Sequence, residues 1–162
     1  MKTVITVKIR LEPYLKKYVI DILSKNHADP VIFPKGSNDI SYLRTLLISK
    51  RDFDHRRIIE DDTANQNMQD HINIKLPWTR GKIDIRWKHF ISPNDEKLFR
   101  ANLKANFYMY AWTSGNTRFR SSNNQIINEI AEEFGFTDEP EIEAIRRNFY
   151  RFRKSGRIPF AK

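Results

Sequence analysis

The hydrophobic positions of the first third of the chain change period twice. Ile5, Val7, Ile9 and Leu11 alternate with Thr6, Lys8 and Arg10, which predicts a strand with one buried face. Pro13 then suits the first turn of a helix, and Leu15, Val19, Ile22 and Leu23 follow at helical spacing to about Ser24. Val31, Ile32 and Phe33 form a short apolar run between Pro30 and Pro34, read as a second strand. Ser37 or Asn38 is placed to cap a helix whose stripe is Ile40, Leu43 and Leu47. Residues 51–71 are mostly polar without a clear period and read as a long loop, with Ile58 and Ile59 pinning its middle. Beyond it, Ile72, Ile74 and Leu76 alternate with Asn73 and Lys75. After Trp78-Thr79-Arg80-Gly81, Ile83, Ile85 and Trp87 alternate with Lys82, Asp84, Arg86 and Lys88, which predicts a hairpin.

The second half reads as helical. Ser92-Pro93-Asn94-Asp95 combines a hydroxyl cap, a first-turn proline and a carboxylate at the positive end of the dipole. The helix it starts runs to about Trp112. Leu98, Phe99, Leu103, Phe107, Tyr108, Met109, Tyr110 and Trp112 surround most of it, and Lys97, Arg100 and Lys104 form its polar strip. A helix apolar on most sides is buried or lies at an interface. Thr113 to Ser122 reads as a polar boundary loop. Asn123 or Asn124 begins a short helix to Phe134, ended by Gly135. Asp138, with Glu141 three residues on, caps the last helix.

These elements predict an α+β fold: a small mixed or antiparallel sheet of three or four strands packed by helices, followed by a C-terminal helical hairpin. The expected organisation is an α+β core over residues 1–113 and helices over 123–162, packed on that core as one compact unit.

Charge adds a direction. The chain has 29 Lys and Arg against 20 Asp and Glu, a net charge of +9. Residues 1–72 contribute +2 and residues 73–162 contribute +7, so the excess lies in the second half. Long-range attraction and counterion release make a polyanion, above all nucleic acid, the favoured partner of such a surface. The absence of cysteine excludes disulfides and thiolate chemistry. No apolar run reaches the length of a membrane span, the N-terminus carries no signal-peptide pattern, and a cytoplasmic location is expected.

The sharpest charge pattern lies at the end. Glu129 to Glu143 holds seven acids and no Lys or Arg, whereas Arg146 to Lys162 holds seven Lys or Arg and no acid. Within residues 125–154, Ile130-Ala131-Glu132-Glu133-Phe134-Gly135-Phe136-Thr137 resembles the first helix and turn of a helix-turn-helix DNA-binding unit. In that family a small residue inside the first helix admits the second helix, and a glycine four positions later takes the left-handed turn; Ala131 and Gly135 stand in those places. The resemblance implies DNA as the partner. Two features depart from it: Ile142 and Ile145 fall one residue late, and Asp138, Glu139, Glu141 and Glu143 occupy the turns that would enter the major groove. Phosphate contact through the C-terminal half of the helix is therefore expected instead of ordinary base reading. Stepped at 100° per residue, Ile142, Ile145, Phe149 and Phe152 form the buried stripe. Arg147, Tyr150, Arg151 and Lys154 lie opposite, flanked by Arg146 and Arg153, and Arg157 and Lys162 lie in the tail. The expected contact set is Arg146, Arg147, Tyr150, Arg151, Lys154 and Arg157.

Lys8, Arg10, Lys75, Lys82, Arg86 and Lys88 form a secondary basic surface on the sheet, with Trp78 available to stack on a base. A nuclease ranks third. Asp84-Ile85-Arg86 resembles the acid-x-lysine strand of restriction-type nucleases with Arg in the lysine place, and Asp61, Asp62, Asp70 and His71 are the remaining carboxylate and imidazole groups nearby in sequence. The histidines at 27, 55, 71 and 89 show no ligand spacing, so no metal and no cofactor is expected. The sequence reading is thus a non-catalytic, accessory or regulatory nucleic-acid-binding protein, with DNA favoured over RNA. The alternative is a protein–protein or homo-oligomer assembly module using helix 93–112.

Overall fold

A computed structural model of the chain describes residues 4–77, 87–118, 123–136 and 139–154. It is an α+β protein with, among these residues, seven α-helices and four short strands. The chain divides into two units, Met1–Leu103 and Lys104–Lys162. The division falls inside a helix and not in the polar stretch 113–122.

In the first unit, β1 (Thr6–Leu11) is followed by α1 (Pro13–Tyr18), which continues as a wider π-helical turn over Val19–Leu23. That turn closes with Ser24 N–H donating to the Val19 carbonyl at 2.8 Å. β1 pairs antiparallel with β3 (Asp70–Lys75), Val7 opposite Ile74 and Ile9 opposite Ile72. These four side chains are buried, as the alternation requires. Each such aliphatic group removed from water contributes roughly 1.5–3 kcal/mol.

On its other edge β1 pairs with no further strand among the described residues. The Arg10 N–H donates to Glu96 Oε1 at 2.9 Å, and the Arg10 carbonyl accepts from Arg100 Nη1 at 3.0 Å. Side chains of a helix thus take the two groups that a neighbouring strand would use. The expected run Val31–Phe33 shrinks to a single parallel bridge, Val31 to Ile74. The bond from Val31 N–H to Asn73 O is 2.7 Å, but Pro30 and Pro34 lack the donors to extend it.

A second antiparallel pair joins β2 (Leu47–Ser49) to β4 (Lys88–Ile91), with Leu47 opposite Ile91 and an irregularity between Ile48 and Ser49. Where a single sheet of three or four strands is expected, the described strands form two sheets of two. α2 (Asn38–Leu46) stops one residue short of Leu47, which is extended. Residues 78–86 of the expected hairpin lie outside the described residues. Trp87 is exposed, and the strand that follows it pairs with β2, not β3.

The supposed loop 51–71 is largely helical: α3 (Lys50–Ile59) and α4 (Thr63–Gln66). Ser49 caps α3, its Oγ accepting from Asp52 N–H at 3.2 Å. No α3 side chain is fully buried, so the hydrophobic period that marks most helices is missing. Phe53 packs on Phe90 with ring centroids 5.5 Å apart, and the Arg57 guanidinium lies 5.9 Å from the Phe53 ring. Ile58 and Ile59 pin nothing; they are 82% and 71% exposed.

α5 (Pro93–Arg118) begins as expected, with Asp95 N–H on Ser92 Oγ at 3.3 Å. It runs past Trp112 because Gly115 and Asn116 cost only about 1 kcal/mol or less each in a helix. Arg100, expected on a polar strip, is buried.

In the second unit, Phe107 meets Phe134 edge-on at 5.1 Å and lies 6.5 Å from Phe136. α6 (Asn123–Glu133) ends in a left-handed glycine, Gly135 at φ +76°. There Phe136 N–H donates to Ala131 O at 2.7 Å and Gly135 N–H to Glu132 O at 3.3 Å. α7 (Glu139–Lys154) follows; the capping residue expected before it, Asp138, is outside the described residues. Among the described residues no helix is long and apolar enough to cross a membrane.

Candidate nucleic-acid interface

The candidate surface lies on α7. Ile145 and Phe149 are buried four residues apart, and α7 packs on α6, where Ile127, Ile130 and Ala131 are buried, as is Phe134 just after it. Fixing that stripe inward turns the opposite face to solvent. Arg147, Tyr150 and Arg151 are exposed there. Arg147 and Arg151 form no ion pair or hydrogen bond among the described residues. Tyr150 leans edge-on to Phe149 at 6.1 Å with its ring still open to solvent. Glu139, Glu141 and Glu143 are exposed on the first turns of the same helix.

Arg146 differs from its neighbours. Its Nη1 is paired with Glu143 Oε1, three residues earlier, and its Nε is buried without a partner. Of the expected contact set, Arg146 is thus the one held in an ion pair among the described residues. Lys154 belongs to α7, but its side chain lies outside the described residues, as does Arg157 altogether.

The secondary basic surface does not assemble as expected. Lys8 and Lys75 are exposed on one face of the β1–β3 pair, where Thr6 lies opposite Lys75 and Lys8 opposite Asn73. Lys88 is exposed on the other sheet, opposite Ser49. Lys82, Arg86 and Trp78 are outside the described residues.

Arg10 is withdrawn from that surface, its side chain 28% exposed. It donates from Nε to Glu96 Oε1 at 3.0 Å and from Nη2 to Glu96 Oε2 at 2.9 Å. Asp62 takes the remaining side of the fork, Oδ2 from Nη1 at 3.2 Å and Oδ1 from Nη2 at 3.0 Å. The Glu96 hydrogen bond, more than the partial burial that opposes it, raises the Arg10 pKa above its ordinary value, and Asp62 acts in the same direction. Fully buried Asn65 ties Asp62 Oδ1 (2.8 Å) to the Pro93 carbonyl (3.0 Å) through its Nδ2. This half-buried lock joins β1, α4 and the start of α5.

The same geometry bears on the nuclease residues. Asp62 is bound by Arg10, and Asp61 accepts from the Thr63 hydroxyl at 2.6 Å and its N–H at 2.9 Å. Asp70 lies 3.9 Å from Lys16 Nζ. Among the described residues no three His, Asp or Glu side chains converge to hold a metal ion, and Asp84 lies outside them. Glu96, Asp62 and Asn65 were not singled out as partners by their sequence context. A usable signal existed for one of them: Glu96 shares the helical spacing of Phe99, Leu103 and Phe107, an acid on an apolar face. No family model, no curated protein and no solved structure matches this chain.

Proposed function

We propose that the chain binds nucleic acid without catalysis, through backbone phosphates held on the exposed face of α7. Duplex DNA is the expected polymer ahead of RNA, and the role is accessory or regulatory. In this reading α6, the Gly135 turn and α7 act together as a helical hairpin of the helix-turn-helix kind. The observation that carries it is the pair Arg147 and Arg151, exposed on one face with, among the described residues, no carboxylate on either. Four residues apart, they stand about 6 Å apart along the helix, so each reaches its own phosphate. Tyr150 between them supplies a hydroxyl and a ring. The exposed acids of the first turns oppose entry of that end into a groove, so the reading is of binding indifferent to base sequence.

The assembly reading needs the aromatic surface of helix 93–112. Phe99, Leu103, Phe107 and Tyr108 are buried within the chain, which leaves Leu98 as that helix's exposed large apolar side chain among the described residues.

Fluorescence anisotropy with random-sequence duplexes at low salt tests the proposal. The native chain is expected to bind several unrelated sequences equally, and Arg147→Ala with Arg151→Ala to weaken binding about tenfold or more. Equal binding by the doubly substituted chain would refute it.

A further inference from the structure

The phosphate face has a carboxylate set against it, and the inference drawn from this rests on the phosphate-binding reading above. We propose that Glu143 competes with phosphate for Arg146, so that the free protein presents Arg147 and Arg151 and keeps Arg146 in reserve. Glu143 stands three residues before Arg146 and four before Arg147, within reach of both on a helix. It pairs with Arg146 and, among the described residues, Arg147 has no ion pair. The Arg146 side chain is 29% exposed and that of Glu143 48%, so the pair sits at the margin of the basic face, open to an incoming anion.

The pairing is incomplete. One carboxylate oxygen takes one of the five N–H donors of the guanidinium, and the Nε–H is buried with no acceptor. A phosphate offers several oxygens to the planar fork and so engages two donors at once. Exchanging Glu143 for phosphate swings the guanidinium outward and gives Nε a partner. It also leaves the Glu143 carboxylate beside a phosphate, which opposes the exchange. Glu143 therefore sets how many phosphates the helix engages: two with the pair intact, three when it opens.

The experiment is a salt series of duplex binding by the full chain, native and substituted. Glu143→Gln is expected to bind roughly three- to tenfold tighter, with a salt slope steeper by about 0.9, the signature of one added phosphate contact. Glu139→Gln, which removes the same charge from an exposed glutamate of the same helix, is expected to change affinity less than about twofold. Arg146→Gln alone is expected to do little, and adding it to Glu143→Gln to abolish the gain. Glutamine keeps helix propensity, and far-ultraviolet circular dichroism confirms the fold. Equal gains from Glu139→Gln and Glu143→Gln would overturn the proposal in favour of bulk charge. A loss on Arg146→Gln as large as that on Arg147→Ala would overturn it because Arg146 would already be engaged. Absence of duplex binding by every one of these proteins would instead overturn the phosphate reading beneath it.

Discussion

Arg10 shows how far a residue's role depends on groups distant in sequence. On the strand pattern it is one more outward cation. In the fold it is bound by Asp62 and Glu96, which stand 52 and 86 residues away. Glu96 is 2% exposed and accepts three of the Arg10 donors, so Glu96→Ala leaves the half-buried Arg10 Nε–H and a strand N–H without acceptors and Asp62 as the guanidinium's remaining partner. A loss of about 2–3 kcal/mol is expected in urea unfolding, discounted from the fully buried case because Arg10 keeps some solvent. A loss below about 0.5 kcal/mol would show that water replaces Glu96 freely. Asp61 provides a pH-dependent counterpart. The Thr63 hydroxyl and then its N–H lower the Asp61 pKa from 3.8. A carboxylate whose folded pKa is depressed stabilises the fold above its unfolded value, and that contribution is lost as pH falls through the folded value. The difference in melting temperature between the native chain and Thr63→Val should therefore be full at about pH 6 and narrow as pH falls below the ordinary carboxylate range; an unchanged gap would contradict the hydroxyl's role. Alternation placed Val7, Ile9, Ile72 and Ile74 inside because a strand's period is local. The Arg10 partners escaped because a pair of opposite charges leaves no periodic trace.

At the scale of elements, helices with strong local signals were legible and those without were not. α5 announces its start in Ser92-Pro93, and α6 its end in Gly135. α3 was missed because its packing consists of one half-buried ring, Phe53, and a cap, Ser49. The π-helical turn before Ser24 and the early end of α2 are tertiary adjustments of backbone that propensity does not encode. Gly135→Ala isolates one such element. An added Cβ meets nothing within 4 Å, so its cost is the left-handed backbone alone, about 1–2 kcal/mol by thermal or urea unfolding. A neutral result would mean that the turn relaxes. Ser49→Ala should cost about 1 kcal/mol by removing the α3 cap.

Across the whole molecule, composition sets the sign of the partner that is proposed. Of the net +9, residues 73–162 carry +7, and the exposed arginines of α7 belong to that part. Among the site residues read from sequence, the fold leaves Arg147, Tyr150 and Arg151 exposed together, pairs Arg146 with Glu143 and locks Arg10 inside. The acids that hold Arg146 and Arg10 were visible in the sequence, but which cation each would take was not. Because the proposed interface lies in the second unit, Lys8→Ala with Lys75→Ala should leave duplex affinity within about twofold. A larger loss would move the interface to the β1–β3 face. The most direct test of the account is the slope of log affinity against log salt concentration for a random-sequence duplex. Two phosphates held by Arg147 and Arg151 predict a slope of about −1.8 or steeper, collapsing by about that amount when both arginines become alanine. An affinity indifferent to salt, or a slope that survives the double substitution, would contradict it.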